Sequence, residues 1–151
     1  AGMRPGALTP PDAMARAVAF FEHLQPAHLA ALDLIYAPDA TFKDPFNEVQ
    51  GLRAIGGVFE HMFATLDAPH FVVTGRVLQG TTCFLTWDFC YQMRRFQRGQ
   101  DQVIRGASQL VFDELGRITL HRDYWDAAEE LYEKLPLLGS LMRWLKGQAR
   151  S

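Results

Sequence analysis

The period of this sequence changes at His70, and that change limits what the chain can fold into. Before it, apolar residues recur at helical spacing. Met14, Val18, Phe21 and Leu24 form one stripe, and Leu29, Leu32 and Ile35 a second. Leu52, Ile55, Phe59, Met62, Phe63 and Leu66 form a third. After it, residues 70–79 and 82–94 are rich in Val, Thr, Phe and Tyr, with Gly80 at the turn between them. Such composition suits a pleated surface. Two more strands fall at 102–113 and 117–126. Asp113-Glu114-Leu115-Gly116 is the hairpin turn between them, and Gly116 suits the left-handed conformation. Helices first and an antiparallel meander afterwards make an α+β chain. Three helices on a curved sheet would form a half-cone with an enclosed concave side.

The punctuation agrees. Thr9-Pro10-Pro11-Asp12 starts a helix, with a capping residue, prolines in the first turn and an early acid. Pro26 opens a second helix, which Ala37-Pro38-Asp39 ends. Gly51 precedes a third. Gly56-Gly57 inside it cost about 1 kcal/mol each and suggest either close approach of another backbone or simple tolerance. The short run 40–44 ends in Asp44 before Pro45, which biases Asp44 toward extended backbone. Asp44 therefore closes a strand. Flanked by Phe42 and Phe46, it is either solvated at a rim or held inside. Its plain role would be to cap the following loop by accepting from amides near Asn47 and Glu48.

The 151 residues suffice for one domain. A net charge of −2 with no Lys/Arg run gives no footprint for nucleic acid. The apolar runs are too short for a membrane span, so no integral membrane association is expected. The N-terminus lacks a signal-peptide apolar region. Cys83 and Cys90 lie seven apart in one strand, roughly 23 Å at ~3.3 Å per residue. They cannot bridge each other and fit two reduced thiols of a cytoplasmic protein. His23, His28, His61 and His70 show no paired metal spacing, so no metal is expected.

Two local motifs carry a resemblance. One is Tyr36-Ala37-Pro38-Asp39-Ala40-Thr41-Phe42-Lys43-Asp44-Pro45-Phe46. The other is Gly116-Arg117-Ile118 leading to Arg122-Asp123-Tyr124-Trp125-Asp126. With both in view the chain resembles the nuclear-transport-factor-2-like superfamily. This is the cone-shaped fold shared by ketosteroid isomerase, limonene epoxide hydrolase and the SnoaL-type polyketide cyclases. The resemblance covers roughly 12–126. It implies a single domain over 1–151 with that core and a C-terminal helical extension over 127–147.

The resemblance places Asp44 where the isomerases keep a general base. The matching donor positions hold Phe20, which donates nothing, and Ser108, a weaker donor than a neutral acid. The last strand resembles that of the epoxide hydrolases, where an acid at Asp123 takes part in an Asp-Arg-Asp relay. The other relay members would come from 86–90, which offers Trp87 and Phe89, or Asp88 and Cys90, depending on register. The water-binding Tyr and Asn of that family correspond to Phe42 and Asp44. What remains is Asp44, His121 and Asp123 as a candidate acid–base set. Alternation poses a conflict, because burying Ile118 and Leu120 would turn His121 and Asp123 outward. A bulge near Leu120, or a sheet covered on both faces, would reconcile them.

The expected cavity wall is Phe20, Tyr36, Phe42, Phe59, Trp87, Phe89, Tyr91, Ser108 and Trp125, around a small hydrophobic molecule. The leading expectation is a cofactor-independent acid–base enzyme of isomerase, cyclase or hydrolase type. A non-catalytic binder of hydrophobic ligands and a protein-interaction module are the alternatives. Relatives also imply a homodimer through the outer sheet face. Leu137, Leu138, Leu141, Met142 and Leu145 form a stripe that would pack on the domain. A subunit contact or shallow membrane attachment are the alternatives for it.

Overall fold

The computed structural model describes residues 7–94, 98–131 and 136–149. Helix α1 (Pro10–Glu22) starts as expected, with Thr9 Oγ1 accepting the Asp12 N–H at 3.3 Å. The second helical stripe is a 3-10 segment, Pro26–Leu34. Strand β1 (Tyr36–Lys43) ends one residue before Asp44. Strand β2 (Glu48–Gln50) and helix α2 (Leu52–Thr65) follow. The meander is β3 (Leu66–Gln79), β4 (Thr82–Met93), β5 (Gln102–Phe112) and β6 (Ile118–Tyr124). Gly116 turns the last hairpin at φ +81°, in the left-handed region. The chain continues into α3 (Ala127–Glu130) and α4 (Pro136–Ala149). The α3 helix ends at Glu130, and residues 132–135 lie outside the described part. So do the side chains of Leu137, Leu138, Leu141 and Met142 in the expected apolar stripe.

The strands form one sheet in the order β2-β1-β6-β5-β4-β3. Every pairing is antiparallel except β1 with β6, which is parallel. The expected meander, β3 to β6, is antiparallel throughout, and the parallel pairing is the one that joins β1 to it. β1 belongs to the helical half and joins the meander at β6, with α2 and four strands intervening in sequence, so it is free to run alongside. One sheet face buries Cys83, Leu85, Trp87 and Phe89 of β4 with Ile104, Leu110 and Phe112 of β5. Helix α1 covers it with Ala13, Ala17, Val18 and Phe21, and α2 with Ile55 and Phe59. The close backbone approach expected at Gly56-Gly57 is not found: a Cβ on Gly56 would lie 3.4 Å from the tip of the Leu32 side chain, an ordinary contact, and one on Gly57 would meet nothing among the described residues.

The conflict on the last strand is resolved by a bulge. Leu120 pairs with Val111, and Ile118 pairs with Phe112, so Thr119 is one residue extra. A single inserted residue inverts the alternation. Ile118 and His121 are consequently both buried, and Arg122 and Tyr124 turn outward.

Candidate functional site

The concave side holds a cavity of about 320 Å³ between α2 and the sheet. Its wall includes Phe42, Phe59, Phe71, Trp87, Phe89, Tyr91 and Trp125, together with Asp44 and Asp123. A narrow inner end, about 20 Å³, continues from it past Phe59, Phe71, Trp87 and Asp123. Phe21, Ser108 and His121 close that end. The bulge at Thr119 is what brings His121 and Asp123 here, and the pleat of β4 brings Trp87 and Phe89. Asp88 and Cys90 have the opposite parity, which settles the register left open between those pairs.

A chain of hydrogen bonds runs across the inner end. The Trp87 indole Nε1–H donates to Ser108 Oγ at 2.8 Å. The Ser108 hydroxyl donates to Asp123 Oδ1 at 2.5 Å. His121 Nε2 lies 2.7 Å from the same oxygen. His121 Nδ1 lies 2.6 Å from the Tyr36 hydroxyl. Proton positions follow from satisfaction. Tyr36 is fully buried and holds its proton, because burial, then the charge of Asp123, raises its pKa well above the ordinary value. His121 Nδ1 is the hydrogen-bond partner of its hydroxyl, so Tyr36 donates to it. Nδ1 is thereby assigned as the acceptor, and Nε2 as the ring nitrogen whose proton bonds Asp123. The Asp123 side chain is 13% exposed and has no Lys or Arg within ion-pair distance among the described residues. Its other oxygen, Oδ2, makes no hydrogen bond to the described residues and is left for whatever occupies the cavity.

The imidazole is gripped on all sides. The Tyr36 ring stacks on it at 5.9 Å and 9°, and Phe42 and Phe21 meet it edge-on at 4.7 and 5.3 Å. Trp87 lies flat on the sheet because its cross-strand partner is Gly106. A Cβ on Gly106 would come within 2.4 Å of the indole ring.

Asp44 is placed differently. It sits at the cavity mouth in an Asx turn. Its Oδ1 accepts from the Phe46 N–H at 2.8 Å, the Asn47 N–H at 2.7 Å and Asn47 Nδ2 at 3.1 Å. Its Oδ2 accepts from Asn47 Nδ2 at 3.1 Å. The loop-capping alternative thus describes its bonding, and it still lines the cavity.

Two expected wall residues lie elsewhere. Phe20 lines neither chamber. It packs edge-on against Phe21 at 5.4 Å, and Phe21 takes the inward position one helical step on. Tyr36 is wholly buried behind His121, a second layer of the wall. Phe71 and Gly106 were not anticipated. Phe71 stacks on Phe89 at 4.7 Å and could have been found from strand parity across β3 and β4. Gly106 carries no sequence signal of its own. Among the described residues no group of three or more His, Cys, Asp or Glu could hold a metal.

The sequence matches the SnoaL-like domain over residues 17–121. No match was found among curated protein sequences. Several solved structures share the fold. A protein with a ketosteroid isomerase-like fold from Catenulispora acidiphila has 19% identity and a TM-score of 0.67, covering 82% of this chain and 92% of that one. An epoxide hydrolase of M. tuberculosis described as LEH-like has 18% identity and a TM-score of 0.65, covering 80% and 86%. A candidate SnoaL-like polyketide cyclase from Shewanella putrefaciens has 21% identity and a TM-score of 0.66, covering 80% and 96%. At such identities the likeness is one of fold.

Proposed function

From the premise that this chain belongs to the SnoaL-like domain family, we propose that it is an acid–base enzyme acting on a small hydrophobic molecule, with Asp123 carrying the proton. One observation supports this above the rest. Ser108 and His121 both bond Asp123 Oδ1, and Oδ2 is left to an apolar chamber. A carboxylate so fixed meets the geometric requirement for proton transfer. Oδ2 takes a proton from one carbon or oxygen of the substrate and returns it to another, as an isomerisation or a ring closure requires. Such chemistry needs no cofactor. His121 and Ser108 hold the carboxylate, and Tyr36 and Trp87 hold them; these four are positioning residues. Asp44, both of whose oxygens accept hydrogen bonds within its own turn, is not the base in this reading.

A second reading has one observation behind it. The hydroxyls of Tyr36 and Ser108 are both committed within the network, so neither faces a developing oxyanion. That favours a pocket which binds without chemistry.

One experiment separates the two. The α-protons of 2-tetralone are followed by NMR in deuterated buffer. The enzyme reading expects saturable acceleration of exchange, reduced about 10²- to 10⁴-fold in Asp123→Asn. It expects Asp44→Asn to stay within about ten-fold, the low end of what a group outside the proton path should cost. Exchange at the buffer rate with saturable binding would leave only the binding reading.

A further inference from the structure

The cavity mouth has chemistry that the inner end does not use. Asp44 lies there beside Phe42, Phe46 and Trp125. Phe46 is 55% exposed, an unusual place for a phenyl ring, and meets Trp125 edge-on at 5.4 Å. Among the described residues the bonds to Asp44 all come from neutral amides, so none of them neutralises its charge. The adjacent Lys43 does not compensate it, since its ammonium sits 3.7 Å from Glu48. Arg122, which borders the same rim, lies over the Tyr124 ring at 4.7 Å. No Lys or Arg lines either chamber among the described residues; the only basic side chains there are His61 and His121.

We propose that this mouth is a cation subsite, taking the ammonium end of a small hydrophobic amine whose apolar end enters the chamber. The proposal rests on reading the cavity as the substrate site, but not on turnover. Asp44 supplies the opposite charge. Phe46 and Trp125 supply ring faces and edges at the rim, and a cation there gains from the ring quadrupoles. The same two acids, Asp44 and Asp123, repel an anionic ligand. The subsite gives Asp44 a role in selection, separate from proton transfer at Asp123. It also accounts for an exposed phenyl ring beside an acid fixed in an Asx turn.

Three matched probes test it: 2-phenylethylamine, 2-phenylethanol and 3-phenylpropionate, titrated at pH 7 against tryptophan fluorescence, with Trp87 and Trp125 as reporters. The amine should bind about ten-fold more tightly than the alcohol, as a charge-assisted hydrogen bond exceeds a neutral one. The carboxylate should not saturate. In Asp44→Asn, which keeps an acceptor for the turn, the amine should fall to the level of the alcohol, with alcohol binding unchanged. Phe46→Leu should lower the preference about three-fold, a cation–π contribution at an exposed site. Asp123→Asn should leave the preference intact. Equal binding of amine and alcohol, no saturable amine binding, saturable carboxylate binding, or a preference that survives Asp44→Asn would each overturn the subsite. So would a preference lost only in Asp123→Asn. The tetralone exchange is read independently, so either idea can fail while the other stands.

Discussion

At the scale of single residues, the site turns on which atoms are already spoken for. Asp44 and Asp123 are both carboxylates on one cavity wall, and their bonding separates them. Both oxygens of Asp44 accept hydrogen bonds within its own turn, whereas Asp123 keeps one oxygen without a bond to the described residues. Tyr36 anchors the far end of the network, and its burial has a consequence for pH. Folding holds its proton well above the usual pKa, while the unfolded chain releases it near 10.0. The unfolded state then binds fewer protons, so stability is intact below about pH 10 and falls as pH rises beyond it. Cys83 adds the same sign, its thiol pushed by burial from 9.0 to about 11. Urea unfolding between pH 8 and 11 should show this decline, and Tyr36→Phe should make it shallower. Below pH 9 the same variant should lose about 1–3 kcal/mol, because His121 Nδ1 is left buried without a donor. An alkaline decline as steep in Tyr36→Phe as in the wild type would contradict the assignment. His121 and Asp123 were legible in sequence through their motif and their spacing of two. Tyr36 was legible only as a wall residue, because its partner lies 85 positions away. Phe20 was misplaced by one step, since Phe20 and Phe21 are equivalent in composition and differ only in helix phase.

At the scale of elements, one extra residue in β6 decides whether a site exists. Regular pairing would bury every second residue from Ile118, exposing His121 and Asp123. The bulge at Thr119 inverts this after the first residue of the strand. Deleting Thr119 should restore regular alternation. The variant would then either turn Asp123 to solvent or fail to fold cooperatively. Tetralone exchange should vanish in both cases, and thermal melts distinguish them. A deletion variant that folds and keeps full exchange would show that the bulge is incidental. Hydrophobic alternation signalled a conflict here, and a bulge was one of two ways out; nothing in the residues themselves marks Thr119. The parallel pairing of β1 with β6 was hidden for a related reason. Strand direction across a crossover depends on long-range packing, and no local pattern encodes it. Local signals served better at Thr9, at Gly116 and at the end of β1, where a cap, a turn glycine and a proline each act on their neighbours. Helix α3 is tied to the sheet by a charge. Glu130 is buried and accepts from the Arg105 backbone N–H at 3.0 Å and from its Nε at 2.6 Å. Arg105 lies beyond the last β6 partner of β5, so this carboxylate satisfies a strand edge that β6 leaves open. Leu131, just after it, lines the cavity.

At the scale of the whole molecule, the change of period at residue 70 was enough to give the α+β layering. Helices on one face of a curved sheet leave a concave space, and the aromatic surplus of the sequence fills its walls. The chemistry of the space was less legible, because it depends on which polar atoms satisfy one another. The account joins the two levels in one claim: the cavity is a substrate chamber whose deep polar contact is Asp123 Oδ2. A crystal structure with 2-tetralone tests that claim most directly. It should show the ligand among Phe59, Phe71 and Trp87, with its α-carbon within about 3.5 Å of Asp123 Oδ2, a near-attack distance. Asp123 Oδ2 bonded to a protein group, or the ligand bound outside the chamber, would contradict it.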